Sequence, residues 1–183
     1  LDIKQVVSYW LMPDQQTAAA LKQISDCAQQ QLNGCWLPPH ITLYSDHLDS
    51  FDLTIEHLIA AAKQHQPLQL QPQAIEAGAA FTQSLMLRFS VEQSEKAAQA
   101  ALQAWSQNLC HRSANALSYQ LDPHLSLLYS NDPLPTRQAC AASLTPPSNS
   151  LRFDRIGAVS HPLRIETADD IAAFTPLASQ KLD

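Results

Sequence analysis

Pro39-His40-Ile41-Thr42-Leu43 and Pro123-His124-Leu125-Ser126-Leu127 repeat one pattern 84 residues apart in a chain of 183. Each holds a histidine and a small hydroxyl two positions apart, interleaved with aliphatic residues. In an extended strand alternate side chains share a face, so His40 points with Thr42 and His124 with Ser126. Ile41, Leu43, Leu125 and Leu127 then point to a core. Both stretches are expected as strands with one apolar and one polar face.

The surroundings repeat as well. Residues 3–11 are rich in β-branched and aromatic side chains and read as a strand. Pro13-Asp14 opens a helix whose stripe of Ala18, Leu21, Ile24 and Ala28 runs to about Leu32, where Asn33-Gly34 stops it. The first histidine strand covers about 39–45. A helix follows from about Asp52 to Gln64, with Leu53, Leu58 and Ile59 as core candidates. Leu68, Leu70 and Ile75 alternate in an extended stretch punctuated by Pro67 and Pro72. A strand over 84–91, a helix over 93–110, the second histidine strand over 123–129 and a helix over 135–144 restate the order. Residues 151–159 and 162–166 are expected as a closing hairpin around His161-Pro162, followed by an irregular tail.

This order predicts an α+β fold: a single bilobal domain over 1–183, built from lobe-forming repeats of about 3–79 and 80–166. Helices pack outside two pseudo-symmetric antiparallel sheets, and the two histidine strands face each other across a central cleft.

Hydrophobic residues make up 45% of the chain and charged residues only 15%, which is globular rather than disordered. No apolar run approaches the roughly 20 residues that span a bilayer, so a cytoplasmic protein without a membrane partner is expected. The net charge is −6 and the cations are scattered singly. Long nucleic acid needs a basic stripe to neutralise many phosphates, and none is visible. A small ligand and a monomer are expected. Cys27, Cys35, Cys110 and Cys140 fall at no zinc spacing and read as reduced residues, although a Cys27–Cys35 disulfide is not excluded by sequence.

A free imidazole titrates near ~6.5, so of two facing histidines one can be bare while the other carries a proton. Two charged rings would repel, which favours that split. The bare ring can take a proton from water and the charged ring can give one to a departing alkoxide. Displacement at phosphorus is roughly in line, so acid and base must stand on opposite sides of it. Thr42 and Ser126 supply donors to the non-bridging oxygens. The residue types and their pairing thus point to phosphate-ester cleavage without a metal.

At this point the chain resembles the two-histidine (2H) phosphoesterase superfamily, and within it the cyclic phosphodiesterases of plants and yeast. Besides the two His-x-Thr/Ser motifs, Tyr9-Trp10-Leu11-Met12-Pro13-Asp14 is similar to the family's opening strand. Pro123-His124-Leu125-Ser126-Leu127-Leu128-Tyr129 is similar to its second motif. Gly78-Ala79-Ala80-Phe81-Thr82-Gln83 resembles the segment before its central strand.

The resemblance implies hydrolysis of ADP-ribose 1″,2″-cyclic phosphate and of nucleoside 2′,3′-cyclic phosphates to 2′-phosphates, by-products of RNA and tRNA splicing. It implies no cofactor and no metal. It names His40, Thr42, His124 and Ser126 as catalytic, with His124 as base and His40 as acid, roles that near symmetry allows to be exchanged. It names Trp10, Phe81, Gln83 and Tyr129 as substrate contacts. Thr82 stands where the family has an aromatic, with Phe81 one position earlier.

The residues alone leave parts of this open. Trp10 suits a core as well as a pocket. Strict alternation places Tyr129 on the opposite face from His124 and Ser126, so only the resemblance brings it to the cleft. His47, His57, His65, His111 and His161 read as surface or helix-end residues, and Arg88, Arg112, Arg152 and Arg155 as solvated cations. Two rival functions stand beside the first: an RNA-end enzyme similar to the 2′-5′ RNA ligase branch, and a nucleotide-binding module without catalysis.

Overall fold

The computed structural model describes residues 5–183, so Ile3 and Lys4 of the expected opening strand lie outside the described residues. Strand β1 (Gln5–Pro13) leads into helix α1 (Gln15–Gln29), whose first turn is capped by Asp14 accepting from the Thr17 N–H at 2.8 Å. After the short β2 (Gly34–Cys35) comes β3 (Ile41–His47), and Ser50 caps α2 (Phe51–Ala62). Two short strands follow, β4 (Leu68–Leu70) and β5 (Pro72–Glu76), then β6 (Leu85–Phe89). Helix α3 (Lys96–Arg112), β7 (His124–Ser130) and α4 (Leu134–Ser143) complete the second round.

The C-terminal part differs from the expected hairpin and irregular tail. Residues 151–162 form one unbroken strand, β8 (Leu151–Pro162), followed by α5 (Ala168–Ala172) and a last strand, β9 (Thr175–Lys181). Thr167 and Asp170 form a reciprocal capping box at α5. The hairpin partner of β8 is therefore β9, not residues 162–166. Helix α2 also differs: Leu53 and Ile59 are exposed, while Thr54, Leu58, Ala61 and Ala62 form the buried stripe. Spacings of four, three and one keep those four on one face.

All described strand pairs are antiparallel and follow the path β4-β8-β1-β3-β7-β6-β5, with β2 added to β7 and β9 to β8. The two expected sheets thus meet as one. Among the described residues only one pair joins them, Ile41 opposite Leu125. Those two residues are also 84 apart, so the pseudo-twofold relating the halves passes through this pair. Each repeat gives its last strand away: β5 pairs with β6, and β8 lies along β1 from end to end. Repeats 3–79 and 80–166 therefore do not each build one side of the sheet.

Both histidine strands carry a β-bulge at the equivalent residue. Opposite β1, Tyr9 faces Tyr44 while Trp10 faces Thr42, leaving Leu43 as the extra residue. Opposite β6, Leu85 faces Leu128 while Met86 faces Ser126, leaving Leu127 extra. A bulge reverses the alternation beyond it.

The core lies between the sheet and the helices. Trp105 of α3 is fully buried, and its indole N–H donates to the Ala61 carbonyl of α2 at 2.8 Å. All four cysteines are free thiols. No helix among the described residues is long and apolar enough to cross a membrane.

Gly34 sits where β2 presses on β7. A Cβ there would come within 2.6 Å of the Tyr129 carbonyl oxygen and 2.9 Å of Leu128 Cγ. Gly34→Ala is expected to destabilise the protein by about 1–3 kcal/mol, as overpacking does. Urea denaturation checks it, and an unchanged midpoint would reject the close approach.

Candidate active site

The two histidines are held in the same way. His40 Nδ1 lies 2.7 Å from the Pro38 carbonyl, and His124 Nδ1 lies 2.7 Å from the Asp122 carbonyl. A carbonyl only accepts, so each Nδ1 carries the proton and donates it. In the neutral ring this leaves Nε2 bare as an acceptor. The register of the central pair also sets His40 across from Ser126 and Thr42 across from His124.

His40, Thr42, His124 and Ser126 line one cavity of about 250 Å³, together with Trp10, Gln83 and Tyr129. Trp10 stacks face to face on His40, with centroids 3.5 Å apart and planes 6° from parallel. It is 3% exposed, so it is both core and cavity wall. The bulge at Leu127 explains Tyr129. With the alternation reversed there, Tyr129 returns to the face of Ser126, and both line the cavity. Phe81 stands elsewhere: it lies behind Tyr129, with ring centroids 5.9 Å apart, and does not line the cavity. Thr82 lines it instead.

The two motif hydroxyls differ in their present partners. Ser126 donates to the Thr82 carbonyl at 2.9 Å. Thr42 accepts from the Tyr119 hydroxyl through its backbone carbonyl at 3.1 Å, and the residue lines the cavity. Buried Arg137 donates to the carbonyls of Gly78 and Ser84 and so pins the segment carrying Thr82 and Gln83.

Burial dominates the titration of both rings. It pushes His40 down to about 3, and the Pro38 hydrogen bond only partly opposes it, while the His124 and His161 rings add to the depression. Burial also lowers His124, but the carbonyl and carboxylate of Asp122 oppose it. The Asp122 carboxylate is itself clamped by Gln83 Nε2 at 2.8 Å and Arg88 Nη1 at 2.5 Å, and lies 3.9 Å from His124 Nδ1. Burial would raise the Asp122 carboxyl, but Arg88 and Gln83 hold it below the usual carboxylate range. Among the described residues, no lysine or arginine lines the cavity.

Several cavity residues escape a reading of the sequence. His161 is not a surface residue: it is 6% exposed, stacked on Phe174 at 4.6 Å, and bonded through Nε2 to Ser8 at 2.7 Å. Ser8 lies 2.6 Å from Ser45, and both line the cavity with Tyr119 and Phe174. Alternation from Trp10 along β1 was a usable signal for Ser8. Ser45 is the 84-residue equivalent of Tyr129, turned inward by the bulge at Leu43.

Three solved structures share this architecture over nearly the whole chain. They are E. coli LigT (14% identical, 99% of each chain, TM-score 0.60), TT0787 of Thermus thermophilus (12%, 97% of each chain, 0.58), and a protein described as a phosphoesterase (16%, 97% and 98%, 0.51). The chain thus shares its fold with LigT, TT0787 and that phosphoesterase. No family model and no curated protein matches the chain.

Asp122→Asn is expected to lower the His124 pKa, because it removes the carboxylate that holds a proton on that ring. NMR titration of the histidine rings checks this, and an unmoved His124 would refute the coupling.

Proposed function

We propose that this cavity cleaves small cyclic phosphodiesters without a metal, with His40 and His124 as the acid–base pair. The observation that carries this reading is the matched mounting of the two rings: each is fixed through Nδ1 by the carbonyl two residues upstream, each offers Nε2, and both line one cavity. Nucleoside 2′,3′-cyclic phosphates, opened to 2′-phosphates, and ADP-ribose 1″,2″-cyclic phosphate are the proposed substrates.

The electrostatics favour His124 as acid and His40 as base, the reverse of the split that the sequence resemblance suggested. His124 has a carboxylate beside it, whereas His40 is the more deeply depressed ring. In the proposed reaction His40 Nε2 takes a proton from water as its oxygen bonds to phosphorus. The P–O3′ bond breaks, and His124 Nε2–H delivers its proton to the departing O3′. A phosphomonoester and a free hydroxyl result, and solvent exchange resets both rings. Thr42 donates to a non-bridging oxygen. Ser126 must first turn from the Thr82 carbonyl to do the same.

Structures of LigT, which shares this fold, are described as complexes with 3′-AMP, ATP, NADP+ and phosphate, which supports a nucleotide ligand here. A small substrate is preferred to an RNA end here because the chain carries −6 and its described cavity wall has no fixed cation. The remaining expectations, a cytoplasmic monomer without membrane or long nucleic-acid partners, accompany this reading.

His40→Ala and His124→Ala are each expected to lower turnover of 2′,3′-cyclic AMP at least ~100-fold with chelator present. Near-normal turnover by either variant rejects the pair. Thr42→Ala should cost roughly 10-fold, and Ser126→Ala less, since only Thr42 has its hydroxyl uncommitted. Parallel rates on an RNA oligomer ending in a cyclic phosphate test the preference for small substrates.

The profile of kcat/KM against pH should be a bell with its maximum on the acid side of ~6.5, because both free rings titrate below that value. Loss of the proton from His124 sets the basic limb, which should move further down in Asp122→Asn. A maximum above pH 7 contradicts these roles.

A further inference from the structure

The hydroxyl chain on the β1 side of the cavity has a fixed direction. His161 Nδ1 lies 2.8 Å from the Pro162 carbonyl, so it carries the proton, and the neutral ring presents Nε2 to Ser8 only as an acceptor. No carboxylate pairs with His161 among the described residues, and the ring is enclosed by Phe174 and the sheet, which favours the neutral form. The Ser8 proton must then go to His161. The 2.6 Å contact between Ser8 and Ser45 leaves Ser45 as its donor. With its one proton committed inward, Ser45 offers the cavity lone pairs and no hydrogen.

This chain also breaks the near symmetry of the site. The equivalent of Ser45 in the other half is Tyr129, which puts an aromatic ring where Ser45 puts a small hydroxyl. The cavity wall therefore carries a small acceptor from the one half and an aromatic ring from the other. Ser8 and His161 are nearly fully buried, and a buried polar chain of this kind is kept aligned only if each member is satisfied.

We propose that Ser45, aligned by Ser8 and His161 as positioning residues, docks a hydroxyl group of the substrate's sugar and so sets which way round a cyclic phosphodiester lies between His40 and His124. This deepens the phosphodiesterase reading and rests on it. In a nucleoside 2′,3′-cyclic phosphate the one free sugar hydroxyl is the 5′-OH, so that group is assigned to Ser45. An acceptor site of this type discriminates against a ligand lacking the hydroxyl, which leaves it unpaired.

The test is calorimetric binding of adenosine 2′-phosphate and 5′-deoxyadenosine 2′-phosphate, which requires no turnover. The unmodified protein should prefer the 5′-hydroxyl ligand by ~10-fold, the scale of one hydrogen bond. Ser45→Ala should reduce that preference to about 2-fold or less, Ser8→Ala should reduce it in part, and Ser45→Thr, which keeps the hydroxyl, should retain it. Equal affinities in the unmodified protein, an undiminished preference in Ser45→Ala, or no binding of adenosine 2′-phosphate at millimolar concentration overturns the proposal. Hydrolysis of 2′,3′-cyclic AMP is scored separately. A preference without hydrolysis sinks the reaction and keeps the docking site; hydrolysis without a preference does the opposite.

Discussion

A single backbone pairing, Ile41 opposite Leu125, holds the whole arrangement at its centre. Because the pair lies on the pseudo-twofold, anything that fixes one histidine strand relative to it fixes the other in mirror order. A lone pairing would be a weak join between two separate sheets. It is backed by exchange: β8 belongs to the second repeat but spans β1, and β5 belongs to the first but pairs with β6. Parting the two repeats would require stripping both β8 from β1 and β5 from β6, with the buried side chains between them. The strand exchange thus ties both halves of the cavity wall into one sheet, and preorganised dipoles are effective only when they do not have to move.

The two bulges are the second device. Without them, strands of strict alternation would offer His40 with Thr42, and His124 with Ser126, then continue with Tyr44 and Leu128. Instead Leu43 and Leu127 each add a residue, Ser45 and Tyr129 turn inward, and Tyr44 and Leu128 go to the core. Strict period-two reasoning fails at this point, and the failure falls within the site itself.

That explains what was legible in the sequence. The histidine strands, the helix opened at Asp14 and the repeated order of elements were readable because they depend on local pattern. The exchange of β5 and β8 was not, since pairing partners depend on long-range register that alternation does not encode. Nor was the segment from His161 to Phe174. His161-Pro162 looks like a turn, yet Pro162 lies at the end of β8, where its missing N–H costs little. His161, taken from its sequence context as a surface residue, thereby became part of the cavity. Phe81 illustrates the converse: a one-residue shift relative to the resembled pattern placed Thr82, not the aromatic ring, on the wall.

The proposed reaction puts a phosphate into a cavity whose described lining holds three imidazoles and no fixed cation. Arg88 stands close, but its charge is committed to Asp122 and Glu76. Burial lowers the pKa of both free rings, and in the proposed reaction the bound phosphoryl group raises the very values that burial lowers, so it draws a proton in with the anion. The consequence concerns release as much as binding. A cyclic diester carries one negative charge, whereas the monoester product approaches two near neutral pH, its second ionisation falling near ~6. A wall of lysine or arginine would hold that product more tightly than the substrate. An imidazole, unlike those fixed cations, can lose its proton to solvent, so in the proposed reaction the proton is a removable counter-ion for the departing phosphomonoester.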